Sequence, residues 1–346
     1  MDEEAAAAHG AVTAQRPRLE DVAAYVGLSP ATVSLVLRNA PGPSARTRNR
    51  VLQAATELGY RANRTASLLA RRRSRLLGVL LEVRSSFHAE LIDDLQAASE
   101  HAGYELVLSP VTRTRDEGRA VETLLDFRCE ALILLGPGTS QARLAALGRQ
   151  LPVIAVGRRV AAEGVDVVRA ADDQGVAQAV GYLAGLGHRA IAYIDGGNGV
   201  IAADRRRGYR VAMRRHGLAD CIRVIPGDHT EDSGLRAAGT LLHQSELPTA
   251  VLAFNDHCAV GLLDALSRAG VDVQSSVSIV GYDDSPLARL GHVNLTTVSQ
   301  NTQQQAEHAI EAAIERLDKG RSVAREVVLT PRLVVRRTAS SPRPSG

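Results

Sequence analysis

Tryptophan is absent from these 346 residues, lysine occurs once (Lys319) and cysteine three times. The missing tryptophan removes the commonest platform on which a ring-shaped ligand stacks. Three scattered cysteines, Cys129, Cys221 and Cys258, are odd in number. They argue against a disulfide framework and fit ordinary small buried residues in a reducing cytoplasm. No apolar run approaches the ~20 residues that cross a bilayer, so no membrane contact is expected. The opening MDEEAAAAHG has neither a basic region nor an apolar one, so it does not read as a secretory signal. Residues 1–16 read as a disordered tail. Catalytic patterns are missing too. GGNG at 196–199 lacks the Lys-Ser/Thr of a phosphate loop and does not form GxGxxG, and there is no GxSxG elbow. Asp256, His257 and Cys258 are adjacent, so their side chains diverge and cannot form a metal site. No cofactor, no metal and no enzymatic activity are expected.

What is present is unevenly distributed. Residues 1–75 carry 12 arginines against 6 acids, the rest 29 basic against 32 acidic residues, so a head of +6 precedes a body of −3. A basic end on a slightly acidic body suits a protein that meets a polyanion. With one lysine in the whole chain, the arginines reflect coding bias first and phosphate recognition only where they cluster. The length suggests two or three folding units.

The segment PRLEDVAAYVGLSPATVSLVLRN, residues 17–39, holds two short helical patterns around Gly27. Leu19, Val22, Ala23 and Val26 recur at helical spacing, and Val33, Val36 and Leu37 form the inward face of the second pattern. Ser29 is placed to cap that helix, with Pro30 at its first position. A third helix follows Ser44, with Val51, Ala55 and Leu58 inward and Gly59 at its end. Three such helices make a helix-turn-helix unit over 17–61, whose second helix is sized for the major groove. Its outer face offers Pro30, Ala31, Thr32, Ser34, Leu35 and Arg38, hydroxyls for phosphates and small apolar groups for thymine methyls. On spacing alone, an αα-hairpin of some helical core remains the alternative.

Residues 62–75 read as a hinge that is helix-compatible but shorter than the ~12–15 residues an isolated helix needs in water. Arg71, Arg72, Arg73 and Arg75 would sit near phosphates, or form a solvated linker. From Leu76 to about residue 339, apolar runs (LLGVLLEV, ELVLS, ALILLG, PVIAVG, then AIAYID, AVLAF, SIVGY) alternate with helical patterns at 90–102, 119–127, 205–215 and 256–268. Two such series predict two doubly wound parallel sheets and hence two lobes, with a ligand cleft beyond the strands' C-terminal ends. The lobes are expected at about 76–170 plus 300–328 and 171–299 plus 329–339, with 340–346 as a tail. Phe87 and His88 follow the first strand, Arg205 opens a helix, Asn255 ends AVLAF and Asp283 ends SIVGY. Singly these read equally well as a surface residue (Arg205), a helix cap (Asn255) and a turn former (Asp283). Together, an arginine, an asparagine and an aspartate at strand ends suit a hydroxyl-rich ligand.

AYVGLSPATVSLVLRN resembles the N-terminal signature of the LacI/GalR family of bacterial transcription regulators. GHRAIAYIDG, RRRGYRVAM, AVLAFNDHCAVGLLDAL, VSIVGYDDSPLA, LTTVSQ and LTPRLVVRRTA follow in the family's order, over roughly residues 18–339. The resemblance implies a fold in two parts: an α/β two-lobed periplasmic-binding-protein-like core behind an all-α helix-turn-helix domain. It also implies a cytoplasmic homodimer on palindromic double-stranded operator DNA, with a sugar or related metabolite as effector in the cleft. Carried over by position, Asn63, Ala66 and Leu69 contact the minor groove, with Leu69 as the wedge. Arg205, Asn255 and Asp283 contact the effector, with Phe87 and His88 at its entrance. Family members often have a polar residue in place of Leu35, asparagine in place of Arg38, proline in place of Ala62 and, in some, an effector-binding aspartate in place of Gly157. The chain ends in SSPRPSG soon after the last strand, where longer members add a tetramer-forming helix, so a dimer is expected. The competing readings are a solute-binding protein for a transporter, which lacks a basic head, and a sugar- or nucleotide-acting enzyme with an accessory head.

Overall fold

The computed structural model describes residues 17–38, 40–60, 73–273 and 275–343. The expected tail at 1–16 and the expected minor-groove residues Asn63, Ala66 and Leu69 lie outside the described residues, as do Ala62, Arg71 and Arg72. Contacts divide the chain into two units, Met1–Ser74 and Arg75–Gly346.

The first unit is built from α1 (Leu19–Val26), α2 (Pro30–Leu37) and α3 (Ala45–Glu57). Each boundary has a local cause. Gly27 ends α1 at φ 64°, a left-handed conformation that glycine takes without steric penalty. The Ser29 hydroxyl accepts from the Thr32 N–H at 3.2 Å, and the Ser44 hydroxyl from the Thr47 N–H at 3.2 Å. Val22, Val33 and Val51, one from each helix, are wholly buried at the centre of this small core. Two of the head's arginines serve the fold. Arg50 donates to the Val26 carbonyl at 2.8 Å, at the end of α1, and Arg48 to the Ala40 carbonyl at 3.0 Å, just past α2.

The second unit opens with a six-stranded parallel sheet in the order β11-β5-β4-β3-β1-β2. Its strands are β1 (Leu76–Glu82), β2 (Glu105–Val111), β3 (Ala131–Leu135), β4 (Val153–Val156), β5 (Val165–Ala170) and β11 (Glu326–Leu329). The crossovers α4 (Ser86–His101), α5 (Glu117–Asp126) and α6 (Gln141–Gly148), with α12 (Thr302–Leu317), belong to this lobe. A second parallel sheet, β7-β6-β8-β9, uses β6 (Ile191–Ile194), β7 (Arg223–Ile225), β8 (Ala250–Leu252) and β9 (Ser278–Val280). Around it lie α7 (Asp172–Gly185), α8 (Val200–Arg215), α9 (Glu231–Leu242), α10 (Asp256–Arg268) and the short α11 (Pro286–Arg289). An antiparallel ribbon of β10 (Thr297–Ser299) and β12 (Arg332–Val334) completes it. One apolar cluster from α7 and α8 fills one face of the second sheet, and one from α9 and α10 the other. Among the described residues, no helix is long and apolar enough to cross a membrane.

Strands β5, β7, β10, β11 and β12 are not among the apolar runs expected from the sequence, and α8 starts earlier than expected. Strand β5, VDVVRA, is not among the expected strands because Asp166 and Arg169 interrupt its apolar pattern, yet both are buried. They survive there in ion pairs: Asp166 with Arg316 at 2.9 Å and Arg321 at 2.8 Å, Arg169 with Glu326 at 2.6 Å. Helix α8 begins at Val200, so Arg205 does not open it but lies in its second turn.

Helices α9 and α10 approach closely through Gly234 and Gly261. A β-carbon on Gly261 would overlap the Glu231 carbonyl oxygen, and one on Gly234 the Cys258 carbonyl oxygen. Neither neighbour is a side chain that can swing away. Gly261→Ala is therefore expected to cost about 1–3 kcal/mol as overpacking. Urea denaturation that shows no loss would mean the crossing is softer than drawn.

Candidate effector cavity and DNA-reading face

The sheets' C-terminal ends in the second unit enclose a cavity of about 480 Å³. That size is ordinary for a small-molecule site. Phe87, His88, Arg205, Asn255 and Asp283 all line it, although they come from four separate stretches of chain.

Arg205 is the most constrained of them. It is 4% exposed; Nε donates to Asp172 Oδ1 at 2.7 Å and Nη1 to the Phe254 carbonyl at 2.7 Å. Its guanidinium lies 3.6 Å from the Tyr282 ring centroid and 4.7 Å from that of Phe254, and Nη2 is 3.7 Å from Asp283 Oδ1. Burial is the largest influence and would weaken its hold on a proton; the groups around it, Asp172 first, together outweigh this and keep it charged. The surface-residue reading of Arg205 therefore fails.

Asp283 is buried at the cavity wall, 9% exposed, and accepts from Gln300 Nε2 at 2.6 Å. Burial pushes its carboxyl up, to about 8, against the pull of Arg205. Its φ of 116° and the 61° of Asp284 are conformations that side chains other than glycine seldom adopt, a strain that clusters at functional sites. Asp284 is anchored by Arg336 at 2.6 Å.

Asn255 caps α10, its Oδ1 accepting from the Cys258 N–H at 2.9 Å, while Nδ2 donates to the His229 carbonyl at 2.9 Å. Cap and cavity residue are thus the same residue, and one amide hydrogen with the second lone pair of Oδ1 is left over. Phe87 and His88 occupy the first turn of α4 rather than a loop. His88 Nδ1 accepts from the Glu82 N–H at 3.0 Å, which leaves Nε2 to carry the proton. Burial lowers its pKa to about 4, so this imidazole stays neutral at physiological pH.

Arg158, Gln300, His229 and Phe254 also line the cavity and were not evident from the sequence. The only signal was proximity: Phe254 directly precedes Asn255, and Gln300 follows the strand that pairs with Asp283. At Gly157 the backbone has φ 87° and a β-carbon there would meet nothing. The wall at that point is open, with no carboxylate. Among the described residues, no group of three His, Cys, Asp or Glu stands together as a metal site.

In the first unit, Ser29, Pro30, Ala31 and Arg38 are exposed, and Thr32, Ser34 and Leu35 partly so. Pro30, Ala31, Ser34, Leu35 and Arg38 share one side of α2, and Ser29 and Thr32 lie at its N-terminus. The Ser29 hydroxyl lies 2.9 Å from that of Thr32, and Arg38 Nε donates to the Ser34 carbonyl at 3.2 Å. That bond occupies one of five guanidinium donors and leaves the others open.

Comparison with known proteins agrees with both units. Residues 18–63 match the family described as bacterial regulatory proteins, lacI family, and residues 180–339 a periplasmic binding protein-like domain. The HTH-type transcriptional regulator GalR of Escherichia coli K12 is 30% identical over 329 residues, spanning 94% of this chain and 96% of that one. A LacI transcriptional regulator from a Rhodococcus species is 44% identical, with a TM-score of 0.74 over 77% of this chain and 98% of its own. The lac repressor dimer bound to operator and the anti-inducer ONPF is 28% identical, with a TM-score of 0.80 over 94% and 99%. These relatives are transcription regulators and not enzymes. With its helix-turn-helix head and two-lobed parallel-sheet core, this chain belongs to the LacI family of bacterial transcription regulators.

Proposed function

We propose that the protein binds a palindromic operator as a cytoplasmic homodimer and represses transcription, under control of a small hydroxyl-rich effector, a sugar or close relative. The observation that carries this reading is the convergence of Arg205, Asn255, Asp283, Phe87 and His88 on one cavity. Fixed donors and acceptors beside an aromatic wall suit a ligand bearing many hydroxyls. On the DNA side, Ser29, Pro30, Ala31, Thr32, Ser34, Leu35 and Arg38 face the major groove, and Asn63, Ala66 and Leu69 the minor groove. A dimer follows because one head reads too few bases for useful specificity. Effector binding changes the angle between the lobes and thereby the spacing of the two hinges. A coupling of ~1–3 kcal/mol, about 5–150-fold in operator affinity, is the typical size of such control.

The test is selection of duplexes from a random library by the full-length protein near ~150 mM salt, where nonspecific phosphate binding is weakened. Enrichment of a palindrome supports the reading; a folded dimer that enriches nothing, with or without candidate sugars, refutes it. Within the selected operator, Leu69→Ala should weaken specific binding roughly tenfold or more, the scale of one lost base-step contact, and leave nonspecific binding nearly intact. A gel-shift titration on operator and random duplex separates the two.

A further inference from the structure

Three helix N-termini open onto the cavity: those of α4, α8 and α10. Two are closed by their own side chains, since Ser85 accepts from the His88 N–H and Asn255 from the Cys258 N–H. The third is not. Helix α8 starts after Gly199, whose lack of a side chain leaves no cap. The N–H groups of Val200, Ile201 and Ala202 have no partner among the described residues. Gly199, Val200, Ile201 and Ala202 all line the cavity. An open first turn of a 16-residue helix presents unpaired donors and the positive end of the helix dipole.

A second, independent feature of the same cavity has the same sign. Arg158, which follows β4 in the other lobe, is only 7% exposed, yet among the described residues no carboxylate forms an ion pair with it. Its single hydrogen bond runs from Nη2 to the Thr139 carbonyl at 3.0 Å, and its buried Nε has no partner. Glu117 acts on it from beyond ion-pair distance, and its Oε2 accepts from the N–H groups of Gly138 at 2.8 Å and Thr139 at 3.1 Å. Arg205, by contrast, already has its counter-charge in Asp172. A guanidinium removed from water without a paired anion is costly, and a bound anion offsets that cost.

We propose that the effector carries an oxyanion, a phosphate ester or a carboxylate, held between the uncapped N-terminus of α8 and Arg158. This rests on the effector reading above and narrows it. The polyhydroxyl part of the ligand lies toward Asp283 and Asn255, and its charged end contacts both lobes. An anion that ties a helix of one lobe to an arginine of the other favours their closure.

The test is calorimetric titration of the full-length protein with matched probes: glucose, glucose 1-phosphate, glucose 6-phosphate, glucuronate, adenosine, adenosine monophosphate and inorganic phosphate. The inference expects at least one anionic probe to bind tenfold or more tighter than its neutral parent. Phosphate esters against glucuronate distinguish the two kinds of oxyanion. Gly199→Asp supplies a carboxylate cap in the ligand's place; φ at Gly199 is −73° and a β-carbon meets nothing there, so the fold accepts it. That variant should keep or raise the thermal midpoint and lose the anion preference, and Arg158→Gln should lose it as well. The inference is overturned if neutral probes bind as tightly as anionic ones, if no anionic probe binds, or if Gly199→Asp keeps the preference. A recovered palindrome together with any of these results sinks this inference alone and leaves the regulator standing.

Discussion

Arg205→Ala should destabilise the second unit by about 3–5 kcal/mol, the usual penalty for removing one partner of a buried ion pair. The residue satisfies Asp172 at 2.7 Å and the Phe254 carbonyl at 2.7 Å, and faces Asp283. Without it the buried Asp172, whose carboxyl burial already pushes up, loses both the charge and the hydrogen bond that hold it down. The stacked guanidinium between Tyr282 and Phe254 is also lost, so packing fails together with charge. Arg205→Lys should not rescue it, because an ammonium cannot bond two acceptors in the guanidinium's plane while stacking on a ring. Urea denaturation followed by circular dichroism measures the loss. A variant within 1 kcal/mol of the parent would mean that the pair behaves like a solvent-exposed one, and the cavity would have to be redrawn. Operator affinity of whatever variant remains folded should no longer respond to effector.

Asp283→Asn should move stability and binding in opposite directions. Burial raises the carboxyl of Asp283 to about 8, above its ordinary unfolded value near 4. Between those limits the folded chain holds a proton that the unfolded chain has released, so stability falls as pH rises through the window. Asparagine does not titrate and still accepts from Gln300. The variant should therefore be more stable than the parent near pH 8, by about 1–3 kcal/mol, with the difference shrinking toward pH 4. Effector binding should weaken at the same time by roughly 10–100-fold, since hydrogen bonds to a charged group are worth about 1.5–3 kcal/mol. Hydroxyl donors favour the ionised carboxylate, so binding to the parent should release a proton and tighten with rising pH. Thermal melts at several pH values, with calorimetry in buffers of different ionisation heat, check both signs. Stability of parent and variant that runs parallel with pH would remove Asp283 from the account.

Much of this could be read in the chain before any coordinates. The head was legible residue by residue because its determinants are local: Gly27 for a turn, Ser29 and Ser44 as caps, and valines at helical spacing. The repeated apolar runs announced two parallel sheets for a similar reason, since buried parallel strands read as continuous apolar stretches. Polar residues at the strand ends named Asn255 and Asp283 as candidates, because topology alone sends strand ends to one cleft; Arg205 reaches it from the second turn of α8.

The remainder depended on pairs distant in sequence. Strand β5 was hidden because Asp166 and Arg169 look like surface residues until Arg316, Arg321 and Glu326 arrive from about 150 positions away. Asp172 gave no sign of its pairing with Arg205, 33 positions on, and Asn255 gave none of serving cap and cavity together. Whether an arginine lacks a counter-charge, as at Arg158, or a helix start lacks a cap beside a cavity, as at Gly199, is a question about enclosed space. The sequence by itself determined the helices of the head, the apolar strands of both sheets and their order, because those follow from local periodicity and backbone preference. Only the tertiary structure decided which charges are balanced and which donors are left unpaired, because burial and pairing are properties of neighbours that the chain brings together when it folds.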